Sequence, residues 1–119
     1  MLVWAALIAG LSSIPNNFPP TDPSELNADK AVHFGLYAVL AALAVASAMR
    51  RGTAGSRFFM AALVVVAVAL FGVVDEVYQR VIPGRDPNPL DWAADVVGAV
   101  CGAVLALVVM RPEAGAGPR

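Results

Sequence analysis

A chain of 119 residues with 59% hydrophobic and only 14% charged residues is too apolar for a water-soluble domain of this size. The same composition excludes a disordered chain, and a net charge of −1 gives no support to nucleic-acid binding. The single cysteine, Cys101, excludes an internal disulfide and a zinc finger. An integral membrane protein is the class that remains.

Apolar segments of the length needed to cross a bilayer, about 20 residues, occur three times along the chain. They cover residues 31–49, 58–74 and 92–110. A fourth apolar segment, residues 1–14, comes first and is short. We interpret it as a retained first helix, because a signal peptide normally has a basic residue before its apolar stretch. Three alternatives remain for this segment: a signal peptide, a helix that begins at the membrane surface, or a chain whose start is trimmed.

The connecting segments are typical of short links between helices. Four prolines predict an extended loop over residues 12–28, with Ser24 or Asn27 as the cap of the second helix. A basic turn is expected at 50–57 and a proline-rich turn at 81–90. The sequence therefore predicts an all-α membrane protein, an up-down bundle of four transmembrane helices with a short first one. Residues 1–110 form this transmembrane domain, and residues 111–119 form a flexible cytoplasmic tail.

The charged residues are distributed unevenly between the two predicted membrane sides. The side that holds the turn at 50–57 and the tail has five basic residues and one acidic residue. The other side has three basic residues and eight acidic ones. Short cytoplasmic loops are enriched in lysine and arginine. We therefore expect a multi-pass protein of the cell membrane with both termini in the cytoplasm and the acidic side facing out.

Polar residues on the acidic side repeat with helical spacing, which predicts stripes on three helices. Because a charged side chain is costly in lipid, we expect these stripes to face one another around a polar pocket. Asp75 and Glu76 are adjacent acids at the end of the third span. By topology, their nearest cations are Lys30 and Arg85. The predicted binding residues are Asp29, Lys30, His33, Tyr37, Asp75, Glu76, Gln79, Arg85, Asp91 and Asp95.

The smaller residues of the last span suggest close packing. Gly98 and Gly102 form a GxxxG pattern, which is typical of helices whose backbones approach closely. We expect Cys101, which lies between them, to be a small buried residue.

These motifs also carry a resemblance to a known family. The pattern DKxxHFxxY at 29–37 resembles the first signature of the VanZ-like family of small membrane proteins. Its second signature is similar to DExxQ at 75–79, followed by IPGR at 82–85, Asp91 and the GxxxG pattern. The resemblance covers roughly residues 12–107 and departs from the family at Asp95, where an asparagine is common. It implies a four-span envelope protein, and the founding member is associated with resistance to the glycopeptide antibiotic teicoplanin.

Three functions remain open from the sequence. The first is an envelope binding or accessory protein whose partners are the lipid bilayer and an envelope lipid headgroup or glycopeptide-type ligand. The second is a membrane enzyme acting on a lipid-linked or headgroup substrate, with His33 oriented by Asp29 as a base and Glu76 as an acid. The third is proton or ion transport, although residues 64–70 and 104–109 contain no ionisable side chain. The oligomeric state is not determined by these patterns.

No cofactor or metal is predicted from the sequence. A single histidine excludes a histidine-rich metal site, whereas a site dominated by carboxylate oxygens remains open. The sequence lacks HExxH and GxSxG motifs, so no complete catalytic constellation can be assigned.

Overall fold

The computed structural model describes residues 1–15, 22–52 and 56–110, and these form four α-helices. They are α1 (Leu2–Ser12), α2 (Pro23–Arg50), α3 (Arg57–Gln79) and α4 (Pro89–Val109). The predicted all-α class and the short first helix are confirmed. Helices α2, α3 and α4 are long and apolar enough to cross a membrane, as expected of a multi-pass membrane protein. The predicted tail at 111–119 lies outside the described residues.

Helix α2 begins earlier than the proline count suggested. The loop predicted for residues 12–28 is wrong from Pro23 onward, because Pro23 is the first residue of α2. Proline fits this position, since its missing N–H has no partner in the first helical turn anyway. The cap is Asp22, whose side chain accepts a 2.9 Å hydrogen bond from the Ser24 amide. The predicted caps Ser24 and Asn27 lie within the helix instead.

Helix α4 begins in the same way. Pro89 is its first residue, and the Asn88 side chain accepts a 3.0 Å hydrogen bond from the Leu90 amide. Helix α3 continues to Gln79, beyond the apolar span predicted to end at 74. As a result, the polar residues at 75–79 and at 91 belong to helices and have fixed positions. We call this end of the bundle, where α1 and α3 end and α2 and α4 begin, the polar end.

The α2 and α4 helices are in backbone contact along the GxxxG pattern. A Cβ atom added to Gly98 would collide with the Phe34 carbonyl, and one added to Gly102 would collide with the Ala38 carbonyl. The predicted close-packing role of these glycines is therefore confirmed. The burial predicted for Cys101 is wrong, because this side chain is exposed on another face of α4.

Two groups of buried apolar residues form the core. The group nearer the polar end brings α1 into the bundle through Ile8, which packs with Tyr37, Leu40 and Val68. The Trp4 indole N–H also donates a 2.9 Å hydrogen bond to the Leu36 carbonyl of α2. The second group lies farther from the polar end and consists of Val45, Ala61, Ala103 and Ala106. An 11-residue helix is only about 16 Å long, so α1 covers about half of a bilayer's hydrocarbon thickness.

Candidate functional site

A buried histidine–carboxylate pair joins α2 to α4 at the polar end. His33 Nδ1 lies 2.9 Å from Asp95 Oδ1. The His33 residue is 8% exposed and Asp95 is fully buried. Gly72 of α3 faces the other carboxylate oxygen, and a Cβ added there would lie 3.1 Å from Asp95 Oδ2. Glycine at position 72 therefore leaves room for a deeply buried carboxylate.

A second buried carboxylate, Asp75 of α3, is surrounded by hydrogen-bond donors. Its Oδ2 atom accepts a 2.7 Å hydrogen bond from the Ser12 hydroxyl, at the end of α1. The Gln79 side-chain amide donates to the same oxygen at 3.4 Å, and the Tyr37 hydroxyl donates at 3.5 Å. Three helices thus meet at one carboxylate.

Ser12 was not among the residues predicted for the site. The Gln79 amide also donates to the Ser12 hydroxyl, at 3.4 Å, so Ser12 is part of a buried polar network. Its side chain is buried, unlike that of Ser13, which contacts the Tyr78 hydroxyl at 3.0 Å on the exposed surface. The sequence feature that could have identified Ser12 is the pair of serines, Ser12 and Ser13, near the end of the apolar segment 1–14.

The predicted stripe on α4 starts at an ion pair. Lys30 Nζ lies 3.3 Å from Asp91 Oδ1, and Asp91 is buried. Asp29 is exposed, yet one potential ligand atom from each of Asp29, His33 and Asp91 lies within 4.8 Å of the others. The expected partner of Lys30 was the acidic pair on α3. Lys30 contacts instead Asp91, in the first turn of α4, from a position about two turns into α2.

Glu76 of α3 faces the same region as the His33–Asp95 pair. Its Oε2 atom accepts a 3.1 Å hydrogen bond from the Asn88 amide. Its Oε1 atom is buried and has no hydrogen-bond partner among the residues that the structure describes. Ligand atoms of His33, Glu76 and Asp95 lie within 4.8 Å of one another. The adjacent α3 residues Asp75 and Glu76 therefore belong to two different polar clusters.

Arg85 does not form the expected contact with the acids of α3. Its guanidinium donates hydrogen bonds to the Leu11 carbonyl at 2.9 Å and the Ile14 carbonyl at 3.1 Å. The last carbonyls of a helix lack intrahelical partners and attract cations. Arg85, expected to be one of the nearest cations to these carboxylates, instead makes contacts that stabilise the end of α1.

A cavity of about 220 Å³ opens between α1, α2, α3 and the segment before α4. Its apolar lining includes Ile8, Leu11 and Val32. Its polar lining consists of Ser12, His33, Tyr37, Asp75, Gln79 and Arg85. Pockets for drug-sized molecules are usually about 300–1,000 Å³, so this cavity suits a small group or one part of a larger molecule.

The ten predicted residues are thus distributed around two adjacent centres. Tyr37, Asp75 and Gln79 belong to the Ser12 network beside the cavity, and Arg85 lies at its rim. Glu76 and Asp95 lie around His33, whereas Lys30 and Asp91 pair beside it with Asp29 at the surface.

No family model, no curated protein and no solved structure matches the chain.

Proposed function

We propose that this chain is a cell-envelope membrane protein that binds a small polar or cationic group in the cavity beside Asp75. The observation that supports this most is the buried Asp75 carboxylate, which forms part of the cavity wall and is held by the Ser12 hydroxyl at 2.7 Å. A fixed anion beside an apolar wall favours a ligand that carries both a cationic or donor group and apolar surface.

The distribution of charge supports an orientation for this cavity. Basic residues flank the opposite end of the bundle at Arg50, Arg51 and Arg57, and basic loops favour the cytoplasm. In this arrangement the four helices form an up-down bundle, both termini are cytoplasmic and the polar end faces the outer leaflet. The cavity is then accessible to an envelope lipid headgroup or to a molecule arriving from outside.

The resemblance to the VanZ-like family supports the same proposal. His33 and Tyr37 come from the first motif, whereas Glu76 and Gln79 come from the second, more than 35 residues later. Tyr37 and Gln79 both donate to Asp75, so residues of the two motifs meet at one carboxylate. Under this proposal, glycopeptide tolerance is the phenotype to measure. The cavity is smaller than the usual drug pocket, so a glycopeptide would place only one of its groups there.

Expression of the chain in a glycopeptide-susceptible bacterial host tests the proposal. The wild type should raise the inhibitory concentration of teicoplanin, and Asp75→Asn should remove most of that rise at equal membrane abundance. Asp86→Asn is the matched control, because Asp86 is an exposed carboxylate on the same side of the bundle. No rise with the wild type, or equal tolerance in the two variants, would refute the link to glycopeptides.

A membrane enzyme is the second candidate, and the His33–Asp95 contact favours it. A carboxylate 2.9 Å from Nδ1 holds the imidazole in the orientation that a general-base histidine has in many enzymes. The predicted orienting group was Asp29, but the hydrogen-bond partner is Asp95. If the chain is such an enzyme, His33→Gln should cause its lipid-linked or headgroup substrate to accumulate in membranes. An unchanged lipid profile relative to Asp86→Asn would exclude this role for His33.

A further inference from the structure

Three buried carboxylate oxygens at the polar end have no hydrogen-bond partner among the described residues, and one of them, Asp91 Oδ1, lies 3.3 Å from the Lys30 ammonium. Asp95 Oδ2 and Glu76 Oε1 have no hydrogen-bond partner within the described part of the chain. The Asp95 side chain is completely buried. Buried polar atoms are normally paired, and an orphaned oxygen in a native structure requires an explanation such as an ion or water. A bound cation is one such partner for the two carboxylates Glu76 and Asp95.

The imidazole of His33 completes a set of three ligands. His33, Glu76 and Asp95 come from α2, α3 and α4, and one ligand atom from each lies within 4.8 Å of the others. Zinc binds nitrogen and carboxylate oxygen at about 2.0–2.2 Å, which separates neighbouring ligand atoms by about 3–4 Å. Small side-chain adjustments therefore bring the three atoms to coordinating distance. A Cβ at Gly72 would lie 3.1 Å from Asp95 Oδ2 and 3.3 Å from the Trp92 and Tyr37 side chains, so glycine at this position leaves Asp95 its place among closely packed groups.

We propose that His33, Glu76 and Asp95 bind a single divalent first-row transition-metal cation, with zinc as the best match. One imidazole nitrogen with two carboxylates suits zinc or manganese, whereas magnesium and calcium prefer an all-oxygen set. Three protein ligands leave a fourth position for water or for an oxygen of a bound molecule. The cation balances the charge of the fully buried Asp95 carboxylate and of the half-buried Glu76 carboxylate.

The neighbouring group of Asp29, His33 and Asp91 is a weaker candidate for the same ion. Lys30 Nζ already lies 3.3 Å from Asp91 Oδ1, so a cation occupies the surroundings of that carboxylate. Asp29 is exposed to the surface. Because both groups would use His33, the expected stoichiometry is one ion per chain.

This site shares His33 with the cavity wall, but its carboxylates are Glu76 and Asp95, whereas the proposed cavity ligand depends on Asp75. The two hypotheses can therefore fail separately. Metal binding by the purified chain can be measured whether or not the chain confers glycopeptide tolerance.

Cobalt(II) titration of the purified full-length chain in detergent tests the metal site. After treatment with a chelator, the wild type should bind one equivalent of cobalt(II) and develop a visible absorption band that zinc then removes. Glu76→Gln and Asp95→Asn should each weaken binding by at least about tenfold. Asp86→Asn should bind as the wild type does, because Asp86 is exposed and outside the group.

A folding control accompanies these measurements. Helical circular dichroism identifies a variant that fails to fold, and Glu76→Gln provides a second variant at a less buried position than Asp95. The proposal is overturned if the wild type binds no stoichiometric cobalt, or if folded Glu76→Gln binds it with unchanged affinity. Loss of binding in Asp75→Asn with full retention in Glu76→Gln would place the ion elsewhere and equally overturn it.

Discussion

The polar end and the opposite half of the bundle are held together by different interactions. At the polar end, helices are joined by side-chain contacts such as Ser12–Asp75 and His33–Asp95. The opposite half is formed by small apolar residues, with Arg57 donating to the Leu107 carbonyl at its margin. Lipid tails are as apolar as these residues, so association in that half depends on close packing and not on escape from water. Close packing therefore holds one half of the bundle together, while hydrogen bonds and charged contacts specify the other.

Gly102→Leu should have the largest effect, because it acts on the close contact that both halves share. A side chain at position 102 would collide with the Ala38 carbonyl of α2, and a backbone atom cannot yield as a side chain can. We expect a loss of more than about 3 kcal/mol in unfolding free energy, or failure to accumulate folded protein. Thermal unfolding in detergent, followed by circular dichroism, measures it.

Gly35→Ala is the matched control for that variant. Gly35 is also a helical glycine, but a Cβ there would meet nothing within 4 Å. Alanine should therefore stabilise the helix by about 0.5–1 kcal/mol. If both glycine variants behaved alike, backbone contact between α2 and α4 would not be what limits stability.

Asp75→Leu should have the next largest effect, because it removes the acceptor at the centre of the polar end. The Ser12 hydroxyl and the Gln79 amide would lose their contact with that carboxylate and be left in buried surroundings. Burying a polar group without its partner costs about 1–3 kcal/mol. Chemical unfolding in mild detergent should show a loss of about 2 kcal/mol, against less than about 0.5 kcal/mol for exposed Asp86→Asn.

Val45→Ala tests the opposite half. Val45 is 1% exposed and packs in the cluster with Ala61, Ala103 and Ala106. Removing two methyl groups leaves a small void, but lipid offers the unfolded helix a similarly apolar environment. We expect a loss of about 1 kcal/mol in the same assay. A loss greater than that of Asp75→Leu would reverse the ranking of the two halves.

Lys30→Met should have the smallest effect. The Lys30 side chain is 27% exposed, and its 3.3 Å contact with Asp91 is partly screened by solvent. Ion pairs of this kind contribute about 0.2–1 kcal/mol. The difference in stability between the variant and the wild type should shrink as the NaCl concentration rises from 10 mM toward about 1 M, where the Debye length is only about 3 Å. A difference independent of salt would show that packing of the lysine stem matters more than its charge.

Hydropathy was sufficient to find the three long helices, but it did not locate their ends. The polar residues Asp75 and Gln79 lowered the hydropathy of the third segment although the backbone remained helical. Prolines suggested loops at Pro23 and Pro89, where they are first-turn residues instead. A helix end is decided by caps and by the position of a proline, which average hydropathy does not resolve.

The candidate site was predictable within each helix and less so between helices. Spacing of i and i+4 placed His33 with Tyr37 and Asp91 with Asp95 on shared faces. It could not show that Asp75 would meet Ser12, because that contact depends on how deeply α1 enters the bundle. It also could not show that Arg85 would bind carbonyl oxygens, since every residue of the chain offers such an acceptor.

The contact between α2 and α4 has a consequence for how a molecule reaches the cavity. These two helices are locked by their backbones at Gly98 and Gly102 and cannot be spread apart without a large energetic cost. Helix α1, by contrast, is attached through single side chains, namely Trp4, Ile8 and Ser12, and through the Arg85 guanidinium at its end. Displacing α1 from the wall of the cavity should therefore cost less free energy than separating α2 from α4.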